Sequence, residues 1–292
     1  MIDKVIFAIL AIIGILVLLF GGIGFCGLCM FANNVQTNTF NVDHREVTTS
    51  HAAAENVEIY VDTLGGNVVI EESAGDRIEV TYDVYAPAGR LDDMLASTKS
   101  VRVDDNTTRI TAVVERRPGT SIISGNWGAH VTVTVPRNSS YALDLHTMGG
   151  DITVPSLHGK KVYMDTMGGK LRLDGGRYET VYMNTMGGDI IATYEASNVT
   201  LRTLGGRIDV DASQTTGKLD VDTMGGDIDV RLPAGTLFTV DASTMGGKVS
   251  HGSIQMNATE KTKTKLVGQT YGGAGSLDIR LSTMGGDIEI SY

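Results

Sequence analysis

Apolar and polar positions alternate along most of this chain, and the alternation pauses repeatedly at one tetrapeptide. Thr-Met-Gly-Gly or Thr-Leu-Gly-Gly begins at Thr63, Thr147, Thr166, Thr185, Thr203, Thr223, Thr244 and Thr283. From Thr147 the steps are 19, 19, 18, 20 and 21 residues, then 39, close to twice the period. Ahead of the tetrad stand Leu143-x-Leu145, Val162-x-Met164, Val181-x-Met183, Val199-x-Leu201 and Leu219-x-Val221. Behind it stand Ile152-x-Val154, Leu171-x-Leu173, Ile208-x-Val210 and Ile228-x-Val230. A period of two puts one row of side chains on a buried face and the next in solvent, so each run predicts a half-buried strand. Units of this length bury their apolar faces by stacking on one another.

The paired glycines Gly149-Gly150, Gly168-Gly169, Gly187-Gly188, Gly205-Gly206, Gly225-Gly226, Gly246-Gly247 and Gly285-Gly286 predict the turns between strands. Glycine tolerates positive φ and sharp reversal. Such a turn serves either a two-residue hairpin or the corner of a β-solenoid coil. The residue after each pair separates them, reading Asp151, Lys170, Asp189, Arg207, Asp227, Lys248 and Asp287. In stacked coils equivalent positions lie ~4.8 Å apart, so the alternation sets unlike charges side by side. In a meander of hairpins they lie two strands apart and the alternation has no purpose. The expected fold is therefore all-β, a single-stranded β-solenoid (β-helix) of ~19-residue coils. A coil hidden between Lys248 and Asp287, with Lys265 at its corner, breaks the alternation. The other reading makes Asn257–Lys265 a loop thrown out from the stack.

Before Thr147 the pattern loosens. Val57-x-Ile59-x-Val61, the Thr63 tetrad and Val68-x-Ile70 form one good repeat, followed by Ile78-x-Val80-x-Tyr82. Arg90–Ser100 predicts a short helix, Arg109–Glu115 and His130–Val135 predict strands, and the segment between those strands reads as a loop. At the very start, Val5 to Ala32 is 28 residues without a charge. About 20 apolar residues span a bilayer core, so this reads as one transmembrane helix. An A-x-A-like cleavage site is missing, and Phe25 and Leu28 stand where a small residue precedes a lipidated Cys. Lys4 before the span, with no Lys or Arg after it until Arg45, orients the C-terminal part outside the cell membrane. The expected organisation is a transmembrane anchor at 1–32, a polar stalk at 33–55, an irregular β cap with first coils at 56–137, and regular solenoid repeats at 138–292.

Charge and composition remove several function classes. Lys and Arg number 24 against 34 Asp and Glu, a formal charge of −10, so no basic face awaits nucleic acid. The 36 glycines follow no G-X-Y period, which excludes collagen. Cys26 and Cys29 both lie in the apolar segment and leave the rest of the chain without a disulfide. A calcium β-roll needs acidic residues on every turn, whereas Lys or Arg replaces Asp on alternate coils; the six histidines show no ligand spacing. No metal or cofactor is expected. Carboxylates are spread over every coil; Asp165, Asp222 and the corner aspartates come nearest to a cluster and read as a solvated face.

Three ladders remain. Unbroken alternation from Leu145 turns Thr147 inward, where it makes local hydrogen bonds, and Met148 outward. Met148, Met167, Met186, Met224, Met245 and Met284 would then form an apolar ridge, with Leu64 and Leu204 in the other repeats. A tight corner more often turns Met inward to fill the core, and that is the expectation adopted. Tyr163 and Tyr182 share a position one coil apart and form an outward aromatic step, the candidate binding residues for sugar or protein. Sequons at Asn106, Asn138, Asn198 and Asn257 permit glycosylation without arguing for it.

The series VEIYVDTLGGNVVIEESAGDRIEVTYDV, AHVTVTVPRNSS and repeated TMGGDI, behind an N-terminal membrane segment, resembles the prokaryotic putative-adhesin family, a domain of unknown function. The resemblance covers nearly all of residues 55–292. It implies a β-solenoid at the cell surface, sometimes joined to envelope-stress regulators, and it transfers no catalytic residue. The function expected is a non-enzymatic adhesion or interaction scaffold at the cell envelope. Its partners are the membrane through the N-terminal helix, and a surface polymer, an envelope protein or a second copy of itself. The alternatives are the ligand-binding ectodomain of an envelope-stress regulatory system and a carbohydrate-active β-helix enzyme.

Overall fold

The two strands that flank a tetrad do not pair with each other; each pairs in parallel with its counterpart one coil away. That arrangement is a stack of coils and excludes the hairpin meander. The computed structural model describes residues 42–118, 127–212, 216–273 and 275–292. The expected anchor, and the stalk up to Asn41, lie outside the described residues. Within them no helix is long and apolar enough to cross a membrane.

In chain order the first strands are β1 (Val42–Ala52), β2 (Asn56–Thr63), β3 (Val68–Ser73), β4 (Arg77–Pro87), β5 (Met94–Arg102), β6 (Thr107–Arg116) and β7 (Gly128–Pro136). The regular coils hold β8 (Ser140–Thr147), β9 (Ile152–Val154), β10 (Leu157–Thr166), β11 (Leu171–Thr185), β12 (Ile190–Thr203), β13 (Ile208–Ala212), β14 (Thr216–Thr223) and β15 (Ile228–Arg231). The closing strands are β16 (Phe238–Thr244), β17 (Val249–Ser250), β18 (Met256–Lys261), β19 (Lys265–Thr270), β20 (Ser276–Thr283) and β21 (Ile288–Ser291).

Two ladders face each other across the core. The first runs β5-β6-β2-β8-β10-β11-β12-β14-β20-β16-β19-β18. The second runs β1-β4-β7-β3-β9-β11-β12-β13-β15-β21-β17. Strands β11 and β12 are long enough to serve both. β11 bends at Gly175 and Gly176, each with φ of 104°, a region that favours glycine. The inward rows, such as Val57, Ile59 and Val61 against Val68 and Ile70, are almost wholly buried. Their branched side chains suit a pleated surface covered on one side.

The spatial order departs from chain order twice. The β2–β3 coil lies between β6–β7 and β8–β9, and the β20–β21 coil lies between β14–β15 and β16–β17. This interleaving accounts for the 39-residue step: the chain leaves the stack after Ser250 and returns at Ser276 one rung earlier.

Three expectations are corrected at the ends. Arg90–Ser100 is not a helix beyond a single 3-10 turn at Leu91–Asp93; β5 follows at once and pairs antiparallel with β6. The unpaired edge of β6 outweighs a weak helical pattern. The expected stalk contains β1, which pairs antiparallel with β4 from Val42 to Ala52. Residues 252–276 are neither a coil nor a loop, because β18 and β19 form an antiparallel hairpin laid on β16. Parallel stacks thus finish at both ends in antiparallel strands, which cover edges otherwise open to other chains.

Candidate interaction faces on the corner and the aromatic row

The threonine of each tetrad is buried at the corner; Thr63 donates to the Ala129 carbonyl at 2.8 Å, and the other seven serve as both donor and acceptor. Thr147, Thr166, Thr185, Thr203, Thr223 and Thr283 donate through Oγ1 to the carbonyl of the second corner glycine on the preceding rung, at 2.7–3.1 Å. Each hydroxyl also accepts the N–H of its own second glycine at 3.2–3.3 Å. Thr244 does the same with Gly286 and Gly247. These bonds pair backbone groups that burial would otherwise strand.

The two glycines of a corner are not equivalent. A Cβ added to Gly169, Gly188, Gly206 or Gly226 would stand 1.8–1.9 Å from the carbonyl oxygen of the rung beneath. At Gly149, Gly168 or Gly187 it would meet nothing closer than 3.9 Å. None of these residues has positive φ. The second glycine is needed for close approach of backbones, and the conformational reason expected from the sequence does not apply.

The residue after the pair has a role that charge alternation does not reveal. Its carboxylate or amide accepts the backbone N–H of the next rung: Asn67 from Asp151 at 3.0 Å, Asp151 from Lys170 at 2.7 Å, and Asp189 from Arg207 at 3.0 Å. The expected strict alternation also fails, because the inserted coil sets Asp287 between Asp227 and Lys248. Asp227 accepts the Asp287 N–H at 2.7 Å, and Asp287 accepts that of Lys248 at 2.9 Å. Each carboxylate is thereby stabilised by a donor as well as by a neighbouring cation, as in Lys170–Asp189 at 3.6 Å and Lys248–Asp287 at 3.8 Å.

The methionines point outward, against the expectation adopted above. Met148, Met167, Met186, Met224 and Met284 are 38–53% exposed, Leu204 is 40% exposed and Met245 76%. Strand parity continues through the corner once Thr is held inside by two hydrogen bonds. Spatially the rungs run Leu64, Met148, Met167, Met186, Leu204, Met224, Met284, Met245. The first glycine of each tetrad lies exposed or half-buried beside them.

On the adjoining sheet face, Tyr163 and Tyr182 stack with centroids 4.7 Å apart and planes 7° from parallel. The row is longer than the two residues the sequence singled out. His146 lies 5.3 Å from Tyr163 and 5.5 Å from Tyr60. Its Nε2 is 2.9 Å from Asp144, and Asp165 beyond it accepts from Asn184 at 2.6 Å. Tyr60 shares the repeat position of Tyr163 and Tyr182, three residues before Thr, and escapes sequence reasoning because Asp144 holds that position on the rung between; His146 stands two residues further on, and only the pairing of β2, β8 and β10 brings it into the row. Burial first, then nearby carboxylates, raise the Tyr60 and Tyr163 phenols above the ordinary value, so both remain neutral donors. Asp165 and Asp222 do not meet: Asn184 and Arg202 occupy the two rungs between them, a separation of about 14 Å. Among the described residues no group of three His, Cys, Asp or Glu is arranged to hold a metal ion.

The family described as Toastrack DUF4097 matches residues 55–291. Similar solved structures include a "putative cell adhesion protein" from Clostridium sporogenes, 13% identical, with 85% of this chain and 99% of that one covered and a TM-score of 0.38. A "putative adhesin" from Bacteroides fragilis is 14% identical over 84% and 97% of the chains, with a TM-score of 0.41. A "putative lipid binding protein" from Parabacteroides distasonis is 12% identical over 86% and 96%, with a TM-score of 0.35. No curated protein matches.

Proposed function

The chain belongs to the Toastrack DUF4097 family, and from that premise we propose that it is a non-enzymatic binding scaffold. In this reading the apolar segment at 5–32 anchors it in the cell membrane, and the solenoid stands outside and engages an envelope polymer. The observation that carries the reading is the row Tyr60, His146, Tyr163 and Tyr182 on an open sheet face, bordered by Asp144, Asp165 and Asn184. Rings with polar tips combine apolar area with hydrogen bonding, the mixture a polyhydroxylated polymer requires.

The geometry limits the mode of contact. Tyr163 and Tyr182 spend one face each on the other, so no sugar ring enters between them. What remains is a line of ring edges, phenol hydroxyls and carboxylates. A sugar lies along this row and donates its hydroxyls to Asp144 and Asp165.

The test is an array of glycans and envelope polymers probed with the full-length chain. Saturable binding to one polymer class, lost on joint Tyr163→Ala and Tyr182→Ala substitution with melting unchanged, supports the reading. Binding that survives the double substitution moves the site elsewhere, and a chain that binds no polymer overturns the adhesive function.

A further inference from the structure

The methionine stripe serves a second purpose. We propose that it is a homotypic docking surface, on which two copies of this chain pack antiparallel about a two-fold axis between the Met186 and Leu204 rungs. The proposal rests on the scaffold reading, in that it names one of the scaffold's partners; its outer flank reaches His146, Asp165 and Asn184 beside the aromatic row, but none of the stacked tyrosines.

The stripe has the size and texture of an interface. Eight rungs at ~4.8 Å spacing make it about 34 Å long. From the residue before Thr to the residue after the second Gly the chain path is about 17 Å and bends at the corner, so a copy covering stripe and flanks buries at most about 600 Å². Two copies bury at most about 1,200 Å², the lower bound of specific, stable interfaces. Methionine, unbranched and polarisable, adapts to an opposing row of its own kind. The first corner glycines give the partner's side chains bare backbone to settle on.

The charges choose the partner and its direction. In an antiparallel two-fold the row after the corner faces its own reverse. About the chosen axis Asp189 meets Arg207, Lys170 meets Asp227 and Asn67 meets Lys248, each pair formed twice. Two like-charge pairs remain: Asp151 meets Asp287, where both carboxylates already accept a backbone N–H, and on the flank before Thr Asp165 meets Asp222, whose carboxyl burial already biases toward the neutral form. A parallel two-fold instead sets this row against the residues before Thr, so Arg207 faces Arg202 and Asp227 faces Asp222. Isologous self-complementarity of this kind is what closed dimers require.

The test is sedimentation velocity of the full-length chain across concentration, with thermal melting as the control for folding. A reversible monomer–dimer equilibrium is expected. Joint Met167→Lys and Met186→Lys substitution should weaken it at least tenfold with melting unchanged. Lys170→Asp should weaken it as well, and adding Asp227→Lys should restore it, because these two positions lie three rungs apart within one chain and meet only across the two-fold. A monomer at all concentrations to about 100 µM overturns the proposal. So does a dimer indifferent to both the lysine and the charge-swap variants, which would place self-association elsewhere. Recruitment of the monomer to lipid vesicles through the same methionines would likewise reject a second copy as the occupant. The polymer array and the mass measurement fail independently, since the tyrosine substitutions lie outside the stripe and the lysine and charge-swap substitutions lie outside the aromatic row.

Discussion

Replacing Gly188 by Ala tests the stacked corner at its tightest point. The new Cβ would stand 1.9 Å from the Gly169 carbonyl oxygen, where ordinary contact begins at 3.4 Å, so the coils must part locally by about 1.5 Å. Three short bonds cross that gap: Thr185 Oγ1 to the Gly169 carbonyl at 3.0 Å, Gly187 N–H to the Met167 carbonyl at 3.1 Å, and Leu171 N–H to the Asp189 carbonyl at 3.0 Å. Such a displacement takes them beyond hydrogen-bonding range. Losing two or three net bonds at ~1 kcal/mol each, with some groups left buried and unpaired, gives roughly 3–5 kcal/mol. For a chain of this size that lowers the melting temperature by on the order of 10 °C. Gly187→Ala is the control, because its Cβ would approach nothing closer than 3.9 Å and its φ is not positive. It should leave melting unchanged or raise it slightly, since Ala restricts the unfolded chain. Both proteins would be melted by circular dichroism under one condition. Equal losses in the two variants would mean that the corner needs glycine for its conformation and not for close approach. No loss in Gly188→Ala would refute the stacked corner itself.

Three further outcomes follow from the same geometry. Thr185→Val keeps the shape but leaves the Gly169 carbonyl and the Gly188 N–H unpaired, and should cost about 2 kcal/mol in chemical denaturation, whereas Thr185→Ser retains most of the bonding. Burial raises the Asp222 carboxyl above its usual value, partly offset by the Ser282 hydroxyl and the guanidinium of Arg202. A raised acid opposes folding when ionised, so Asp222→Asn should stabilise the protein at pH 7; that advantage should shrink as pH falls through the raised value and vanish below the unfolded carboxyl range. A melting series from pH 7 to 3 reads the difference, and a gain that grew on acidification would reverse the assigned sign. Amides of β21, bordered by β15 and β17, should exchange with deuterium more slowly than those of β18 at the edge.

The repeat made the coil legible because the position of each tetrad reports its own corner, and parity alone placed Thr inside. Parity also placed Met outside, and the expectation that overruled it relied on a general habit of corners. That habit fails here because Thr is fastened inward by two bonds and leaves the next side chain no inward space. The ends were less readable. Whether β5 is strand or helix depends on the vacant edge of β6, and β1 on the edge of β4; no pattern inside either segment carries that information. The aromatic row was half visible: Tyr60 shares the repeat position of Tyr163 and Tyr182, but its coil precedes the regular repeats and Asp144 interrupts the series, while His146 joins only through register.

The interleaved C-terminal coil bears on how the molecule is made. A chain synthesised from its N-terminus completes β14 and β15 early, but their permanent neighbours β20 and β21 emerge only after β16 to β19. Until then the β16–β17 coil has no seat, and the stack carries an open slot one coil wide. The Leu232 N–H closes on the Ser291 carbonyl at 3.0 Å and the Tyr292 hydroxyl on the Thr236 carbonyl at 2.8 Å, latching the inserted coil in its slot. A slot shaped for one's own C-terminus also fits a neighbour's. Chains emerging close together can therefore exchange this coil, each filling the other's slot, the route by which domain-swapped dimers form.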